Sequence, residues 1–442
     1  MSDDIITILN LNKSNVQNFY TTRNQQNLHL HIQFIRDEFI CKTCKQKLYI
    51  KDYKLKIIKH QIIRDMDTTI HYSARRYLCK NCNSTHFEKN PFTSRNYNFS
   101  QIMIVSLLKY LKEPTVSFSL AARQYNISTS RVVSLFDDYC QMVKRPLTRC
   151  ICIDEFYAIR TSKEKYVCII LDFDRGTILD VMFGRTKINW SSYTQLIPKK
   201  ELDFVEYISI DMYETYRIAA KKYFKNAKVC IDSFHVIKNI NQLLKRIRID
   251  TMKRYPEDSN EYYLLKNFNW LIMMDGSKVP DNIGKYNKKL GYVINYTQIL
   301  ELILAIDPIL KHAYELKEDY LLFNATSTLE NARDDLSTII SIFTSSEIET
   351  YQHFADTTLI KWFDEIVNSF TLFNGRRISN GPIESTNSRV KTILKVSNGF
   401  KNFSRMRNKI MYSLNKDSCI SPIKNKQIIK RKGKPRGPYN KI

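Results

Sequence analysis

Cys150-Ile151-Cys152-Ile153-Asp154-Glu155-Phe156 is an apolar run that closes on an acid. Residues 150–160, 166–172 and 177–183 read as three consecutive strands, with Asp174-Arg175-Gly176 as the hairpin turn before the third. Residues 205–211 and 228–232 read as two more strands, separated by a helical pattern over 215–224. The order is a three-stranded meander followed by alternating helix and strand. In such a mixed sheet Asp154 and Asp211, each ending an apolar run, project from neighbouring strands.

A third acid lies far downstream, in Ser379-Asn380-Gly381-Pro382-Ile383-Glu384-Ser385-Thr386-Asn387. Pro382 suits a first helical turn and Asn380 a cap, so Glu384 sits at the head of a helix, with Asn387 and Lys391 on its face. Two strand-end aspartates and a helix-borne glutamate form a hard-oxygen set for Mg²⁺ or Mn²⁺. Two-metal phosphoryl-transfer sites hold such ions about 3.5–4 Å apart. The chain therefore reads as a nuclease-like enzyme with a ribonuclease-H-like core. Other acids have simpler readings. Asp172 and Asp174 flank a turn, and strand alternation sends Glu155 to the face opposite Asp154. Asp232 also ends an apolar strand, three residues before His235, and could bind metal, orient a ligand or cap the helix from Ser233. The pattern puts Asp211 ahead and leaves Asp232 open.

Cys41-Lys42-Thr43-Cys44 and Cys79-Lys80-Asn81-Cys82 are paired CxxC knuckles, the arrangement that completes a tetrahedral Cys₄ set for structural Zn²⁺. The alternating segment between them suits the strands of a zinc ribbon. Cys150, Cys152, Cys168 and Cys230 lie in apolar runs and read as core. From Ser100, helical spacing runs to about residue 139, broken at Asn126-Ile127-Ser128. Ala121 and Ala122 allow close helix approach and Ser128 can cap the next helix. This reads as a helix-turn-helix, with Thr129, Ser130, Arg131 and Ser134 placed to meet DNA. A plain helical hairpin would use the same pattern.

With 442 residues the chain has room for several domains, and 43% apolar with 12% aromatic content builds real cores. A formal charge of +25 spread along the sequence points to a nucleic-acid partner. No signal peptide is visible in residues 1–40, and no apolar stretch approaches the ~18 residues of a membrane span. The expectation is a soluble cytoplasmic protein with reduced thiols and no membrane partner. Trp270, Trp362 and other aromatics of the 241–370 region could stack on frayed bases, or more simply fill helical cores. Lys391, Lys395, Lys401, Arg405 and Arg407 form a basic stretch suited to DNA phosphates, and residues 424–442 read as a basic Gly/Pro-rich arm.

The blocks Cys152-Ile153-Asp154-Glu155-Phe156, Ser209-Ile210-Asp211-Met212-Tyr213 with Tyr216-Arg217, Asp232-Ser233-Phe234-His235-Val236, and Asn380 to Asn387 resemble the DDE transposases of bacterial insertion sequences, in particular the ISL3 family. The resemblance implies Asp154, Asp211 and Glu384 as the catalytic triad holding Mg²⁺ or Mn²⁺, with Asp232, His235 and Asn387 accessory to it. It implies binding of terminal inverted repeats, metal-dependent hydrolysis at the DNA ends and joining of the freed 3′-hydroxyl to target DNA, by a homodimer or higher oligomer at the bacterial nucleoid. One departure is Leu394-Lys395-Val396-Ser397-Asn398-Gly399-Phe400, where family members often carry Arg; Lys395 is a weaker bidentate phosphate binder than Arg. The rivals are a non-catalytic zinc-ribbon/helix-turn-helix regulator and a Mg²⁺-dependent nuclease without strand transfer. The expected organisation is a multidomain α/β chain. It comprises a ribbon segment (1–98), a helix-turn-helix (99–146), a core (147–240) interrupted by an all-helical insertion (241–370), the final core part with Glu384 (371–414) and a basic disordered tail (415–442).

Overall fold

Leu28, Leu30 and Ile32 alternate with His29 and His31, and Ile70, Tyr72 and Ala74 alternate with His71 and Ser73; the first set of each is buried. That period of two makes one face of a sheet apolar. The computed structural model describes residues 9, 11–37, 39–63, 65–93, 98–158, 164–280 and 282–420, so nearly all of the basic tail lies outside the described residues. The sheet comprises β1 (Val16–Arg23), β2 (Asn27–Phe34), β3 (Leu48–Lys59), β4 (Asp67–Cys79) and β5 (Thr85–Phe87), in the order β1-β2-β4-β3 with β5 on β4. The chain divides into two compact units, Met1–Val143 with Val390–Ile442, and Lys144–Arg389.

The first unit also holds α1 (Gln101–Lys112), α2 (Phe118–Gln124) and α3 (Thr129–Tyr139). Ser100, Ser117 and Ser128 precede them, and each hydroxyl accepts the backbone N–H three residues on, which satisfies an otherwise orphaned donor. Asn126 takes φ +46°, turning the chain out of α2, and Ile127 packs against the cluster of Leu107, Leu108, Ala121, Val132 and Phe136. Helix α16 (Phe403–Leu414) joins that core through Tyr412, whose hydroxyl donates to Leu108 O at 3.0 Å.

In the second unit, β6 (Cys150–Tyr157), β7 (Tyr166–Asp172) and β8 (Ile178–Phe183) form the antiparallel meander, and Gly176 takes φ +61° in its tight turn. Helices α4 (Lys187–Thr194) and α5 (Lys199–Asp203) lead to β9 (Tyr207–Ile210), then α6 (Glu214–Tyr223), β10 (Lys228–Ile231) and α7 (Ser233–Met252). The strand order is β10-β9-β6-β7-β8, with β9 parallel to both β6 and β10. Parallel strands covered on both faces need continuous apolar runs. Ile151, Ile153, Ile208, Ile210, Val229 and Ile231 provide them, each burial worth about 1.5–3 kcal/mol.

After α7 come α8 (Asn260–Asn267), α9 (Asn269–Met273), α10 (Tyr296–Ala305), α11 (Pro308–Thr326), α12 (Ala332–Ser345), α13 (Glu349–Phe354) and α14 (Phe363–Asn368). The region expected to be wholly helical also contains a hairpin, β11 (Lys285–Asn287) with β12 (Tyr292–Ile294). Aromatic and β-branched residues favour the extended form there. The Asn287 side chain accepts from the backbone N–H of Lys289 and Leu290 to close the turn. Trp362 is buried among these helices and Trp270 packs edge-on to Tyr296 at 5.0 Å, so both fill the core. A second hairpin, β13 (Leu372–Phe373) with β14 (Arg376–Arg377), precedes α15 (Gly381–Val396). Among the described residues no helix is long and apolar enough to cross a membrane.

Candidate active site

The parallel ladders pair Ile153 with Ile210 and Ile210 with Ile231. The residues that follow are Asp154, Asp211 and Asp232, which therefore stand abreast where β9 and β10 end, while β6 runs on to Tyr157 along β7. Ligand sites of open α/β sheets lie at this carboxyl end. The apolar residues just behind the aspartates fix the register that aligns them.

His235, in the first turn of α7, lies between two of the three: Nε2 is 3.1 Å from Asp211 Oδ2 and Nδ1 is 3.4 Å from Asp232 Oδ2. The hydrogen bond to Asp211, and after it the Asp232 carboxylate, push its pKa up to about 10. Burial, and then the neighbouring Asp211 charge, pushes the Asp154 carboxyl up to about 7. The Glu155 backbone N–H, donating to Asp154 Oδ1 at 2.7 Å, works the other way.

The helix bearing Glu384 is tied to this row by two amides. Asn380 donates from Nδ2 to Asp211 Oδ1 at 2.8 Å, and Asn387 donates from Nδ2 to Asp154 Oδ2 at 2.5 Å. The Asn380 carbonyl accepts the N–H of Ile383 and of Glu384, opening the helix, while Ser379 O accepts from Cys152 Sγ, which shares the Asp154 face of β6. Asn380 precedes the helix, and Glu384 and Asn387 follow it within the first two turns, one turn apart. The Glu384 carboxylate is exposed. The three acids do not close on a single point. Among the described residues, the one set of three or more His, Cys, Asp or Glu with all ligand atoms within 4.8 Å is Cys41, Cys44, Cys79 and Cys82.

Glu155 faces the other way, as alternation requires. It pairs with Arg185 at 2.5 Å and accepts from Tyr216 Oη at 2.6 Å. Asp172 and Asp174 are turn residues: Asp172 Oδ1 accepts the Asp174 N–H, and Asp174 accepts from Asn374 and Arg376. Reading the sequence for acids missed Asn380 as the partner of Asp211. The spacing of Asn380, Glu384 and Asn387 groups these three residues but does not point to Asp211.

The profile of the ISL3 family of DDE transposases, described as "Transposase", matches residues 151–410, a span that includes Asp154, Asp211, Asp232, His235, Glu384 and Asn387. The chain belongs to the ISL3 transposase family. It is also 19% identical over 300 residues to the transposase for insertion sequence element IS1001 of Bordetella parapertussis, covering 66% of this chain and 69% of that protein. Membership makes this transposase an enzyme acting on DNA.

The cysteines of this ISL3 transposase form a second constellation. Cys41 Sγ is 3.6 Å from Cys82 Sγ, and Cys44 Sγ is 3.4 Å from Cys79 Sγ. Tetrahedral Zn²⁺ with Zn–S near 2.3 Å requires sulfur separations of roughly 3.8 Å, so the set fits that ion by donor type and spacing. Each knuckle turns back through a left-handed residue directly after its second cysteine, Lys45 at φ +61° and Asn83 at φ +53°. A hydrogen bond from Ser84, followed by the Cys44 backbone N–H, pulls the Cys41 thiol down to about 4. Thiolate character of that kind is what a metal ligand needs. His86 Nε2 lies 3.2 Å from Cys41 Sγ.

Thr129, Ser130, Arg131 and Ser134 all lie on the exposed face of α3, opposite buried Val132, Leu135, Phe136 and Tyr139. Lys391 and Lys395 are exposed on α15. Two other cations are engaged internally. Arg405 grips Asp137 with Nη2 at 2.6 Å and Nε at 2.9 Å, and Arg407 Nη1 donates to Met142 O at 2.6 Å.

Proposed function

We propose that this chain is a catalytically competent DDE transposase, which binds the terminal inverted repeats of an insertion sequence, hydrolyses the DNA at its ends and joins the freed 3′-hydroxyl to target DNA. The observation that carries the reading is the row of three aspartates on adjacent strands, with the Glu384 helix bonded to two of them through Asn380 and Asn387. Asp154, Asp211 and Glu384 supply hard oxygen ligands and would hold Mg²⁺ or Mn²⁺, which activates an attacking oxygen and neutralises the leaving one. The half-buried Asp154, with its raised pKa beside Asp211, is a carboxylate whose charge a divalent cation would stabilise.

The chain's residues position and neutralise. In the first step a water oxygen attacks the phosphorus at the element's end, the P–O3′ bond breaks, and the oxygen leaves as a 3′-hydroxyl. In the second, that hydroxyl attacks a target phosphodiester in line and displaces its 3′ oxygen, so no covalent enzyme intermediate is needed. His235 stands between Asp211 and Asp232 and orients both carboxylates. The β10-β9-β6-β7-β8 order, antiparallel on one side of β6 and parallel on the other, supports a ribonuclease-H-like core. The exposed polar face of α3 supports a helix-turn-helix that reads DNA, with the cysteine set holding structural Zn²⁺.

The test incubates the protein with Mg²⁺ and labelled DNA carrying the inverted repeats that flank its gene, comparing wild type with Asp211→Asn and Asp232→Asn. Cleavage and joining lost with Asp211→Asn support the reading. Cleavage without joining would leave a nuclease, and binding without cleavage a regulator.

A further inference from the structure

Asn380 and Asn387 are 1% and 6% exposed, and each donates its Nδ2–H to one aspartate of the row. Each also has an Oδ1 that is buried and accepts no hydrogen bond. Buried polar atoms are nearly always paired. Two unpaired acceptors, each on an amide already bonded to an aspartate oxygen, mark a place built to receive donors from something outside the chain.

The chemistry of those acceptors is specific. They are neutral, so they add no negative charge beside Asp154 and Asp211, where a carboxylate would. They are hard oxygens, and they accept. Mg²⁺ binds through few protein ligands and keeps several waters, which need acceptors. Glu384, between the two amides in sequence, takes its position from the same two anchors.

Resting on the transposase reading above, we infer that Asn380 and Asn387 are the positioning residues of the divalent-cation site. Nδ2 of each holds one aspartate in its ligating orientation, and Oδ1 of each accepts from the hydration shell of the ion. The pair also fixes where Glu384 stands relative to Asp154 and Asp211, so losing either amide loosens the whole ligand set.

The experiment measures Mn²⁺ binding to the full-length, zinc-loaded protein from the free-ion electron paramagnetic resonance signal, with cation-dependent melting as a second readout and no DNA present. The variants are Asn380→Ala, Asn387→Ala, Asn380→Asp and Asn387→Asp, with Asp154→Asn as reference. Each alanine variant is expected to weaken the Asp154-dependent binding by about tenfold, the lower end for groups that orient metal ligands. Each aspartate variant should melt below wild type without cation and recover more than wild type gains when Mn²⁺ is added, because the ion relieves the new like-charge contact. That recovery keeps the test open if an alanine variant fails to fold. Alanine variants that melt lower yet bind Mn²⁺ like wild type, while Asp154→Asn abolishes binding, would overturn the inference and leave the transposase reading standing. Equal binding by wild type and Asp154→Asn would remove the catalytic reading, and this inference with it.

Discussion

His235 Nε2 lies 3.1 Å from Asp211 Oδ2 while its Nδ1 faces Asp232 at 3.4 Å, so the two strand-end acids share one histidine ring and differ in their other partners. Asp211 is also bonded by Asn380 on the Glu384 helix, whereas Asp232 is 4% exposed and opens α7. Asp211 is thus the acid joined to the third carboxylate's helix. Asp211→Asn is expected to lower end cleavage by on the order of 10²–10³-fold or more, the scale for removing a key electrostatic group. Asp232→Asn acts through His235 and should cost on the order of 10–100-fold. End binding should survive both changes. A gel assay of strand cleavage checks this, and equal losses would place Asp232 among the ligands.

The sulfur geometry fits a structural zinc ion, which would then be a folding element of the first unit. Elemental analysis of the purified protein should find one zinc per chain, and Cys79→Ser should lose it. Structural Zn²⁺ in finger peptides contributes an apparent 10–16 kcal/mol, so β3, β4 and β5, which flank the knuckles, should lose amide-exchange protection when the ion is removed. The close approach of His86 to Cys41 gives Cys82→Ser a substitute nitrogen ligand, and that variant should keep more zinc than Cys79→Ser. Full occupancy in both would remove the Cys₄ assignment.

Much of this arrangement was legible in the residues. The apolar runs ending at Asp154, Asp211 and Asp232 declare strands covered on both faces, because a strand apolar at consecutive positions has no solvent face. The CxxC knuckles and the Ser128 cap are local chemistry, and local chemistry reads directly from sequence. Pairings between distant residues did not. That Asn380 bonds Asp211, across a separation of 169 residues, depends on how hairpin and helix dock, and no spacing rule spans that distance. Arg405 was chosen for its charge, but its pairing with Asp137 on another helix is tertiary and invisible to composition. The β11–β12 hairpin was missed because helical periodicity on both sides dominated the reading of a short, turn-closed segment.

His60 makes the first unit acid-sensitive. The ring is 1% exposed, its Nδ1 is 2.7 Å from Ser100 Oγ, and that hydroxyl also accepts the Met103 N–H to cap α1. The ring and the α1 cap thus share one hydroxyl. Burial lowers the folded pKa to about 4, against 6.5 unfolded. Above pH 6.5 neither state binds the proton and stability is unaffected. As pH falls from 6.5 towards 4 only the unfolded state takes it up, so stability declines through that window, by on the order of 2 kcal/mol at pH 5. Thermal melts at pH 7.5 and pH 5 should show wild type losing more than His60→Gln, and identical losses would assign the acid sensitivity to other groups.

Two arginines separate DNA contact from packing. Arg131 is exposed in the first turn of α3, its guanidinium 5.6 Å from the Phe99 ring centroid, while Arg405 is bonded to Asp137 through two nitrogens. A phosphate contact releases about one counterion, so Arg131→Ala should weaken binding to the inverted repeat and reduce the slope of log affinity against log salt by about 1, with the melting temperature nearly unchanged. Arg405→Ala should do the reverse. It leaves Asp137 without its bidentate partner and should lower stability by about 1 kcal/mol, since the pair is partly exposed, while the salt slope stays near wild type. Fluorescence anisotropy over a salt series, with melts of the same preparations, gives both quantities. If Arg405→Ala changes the salt slope and Arg131→Ala does not, the DNA-facing side of this unit lies along α16 and not α3.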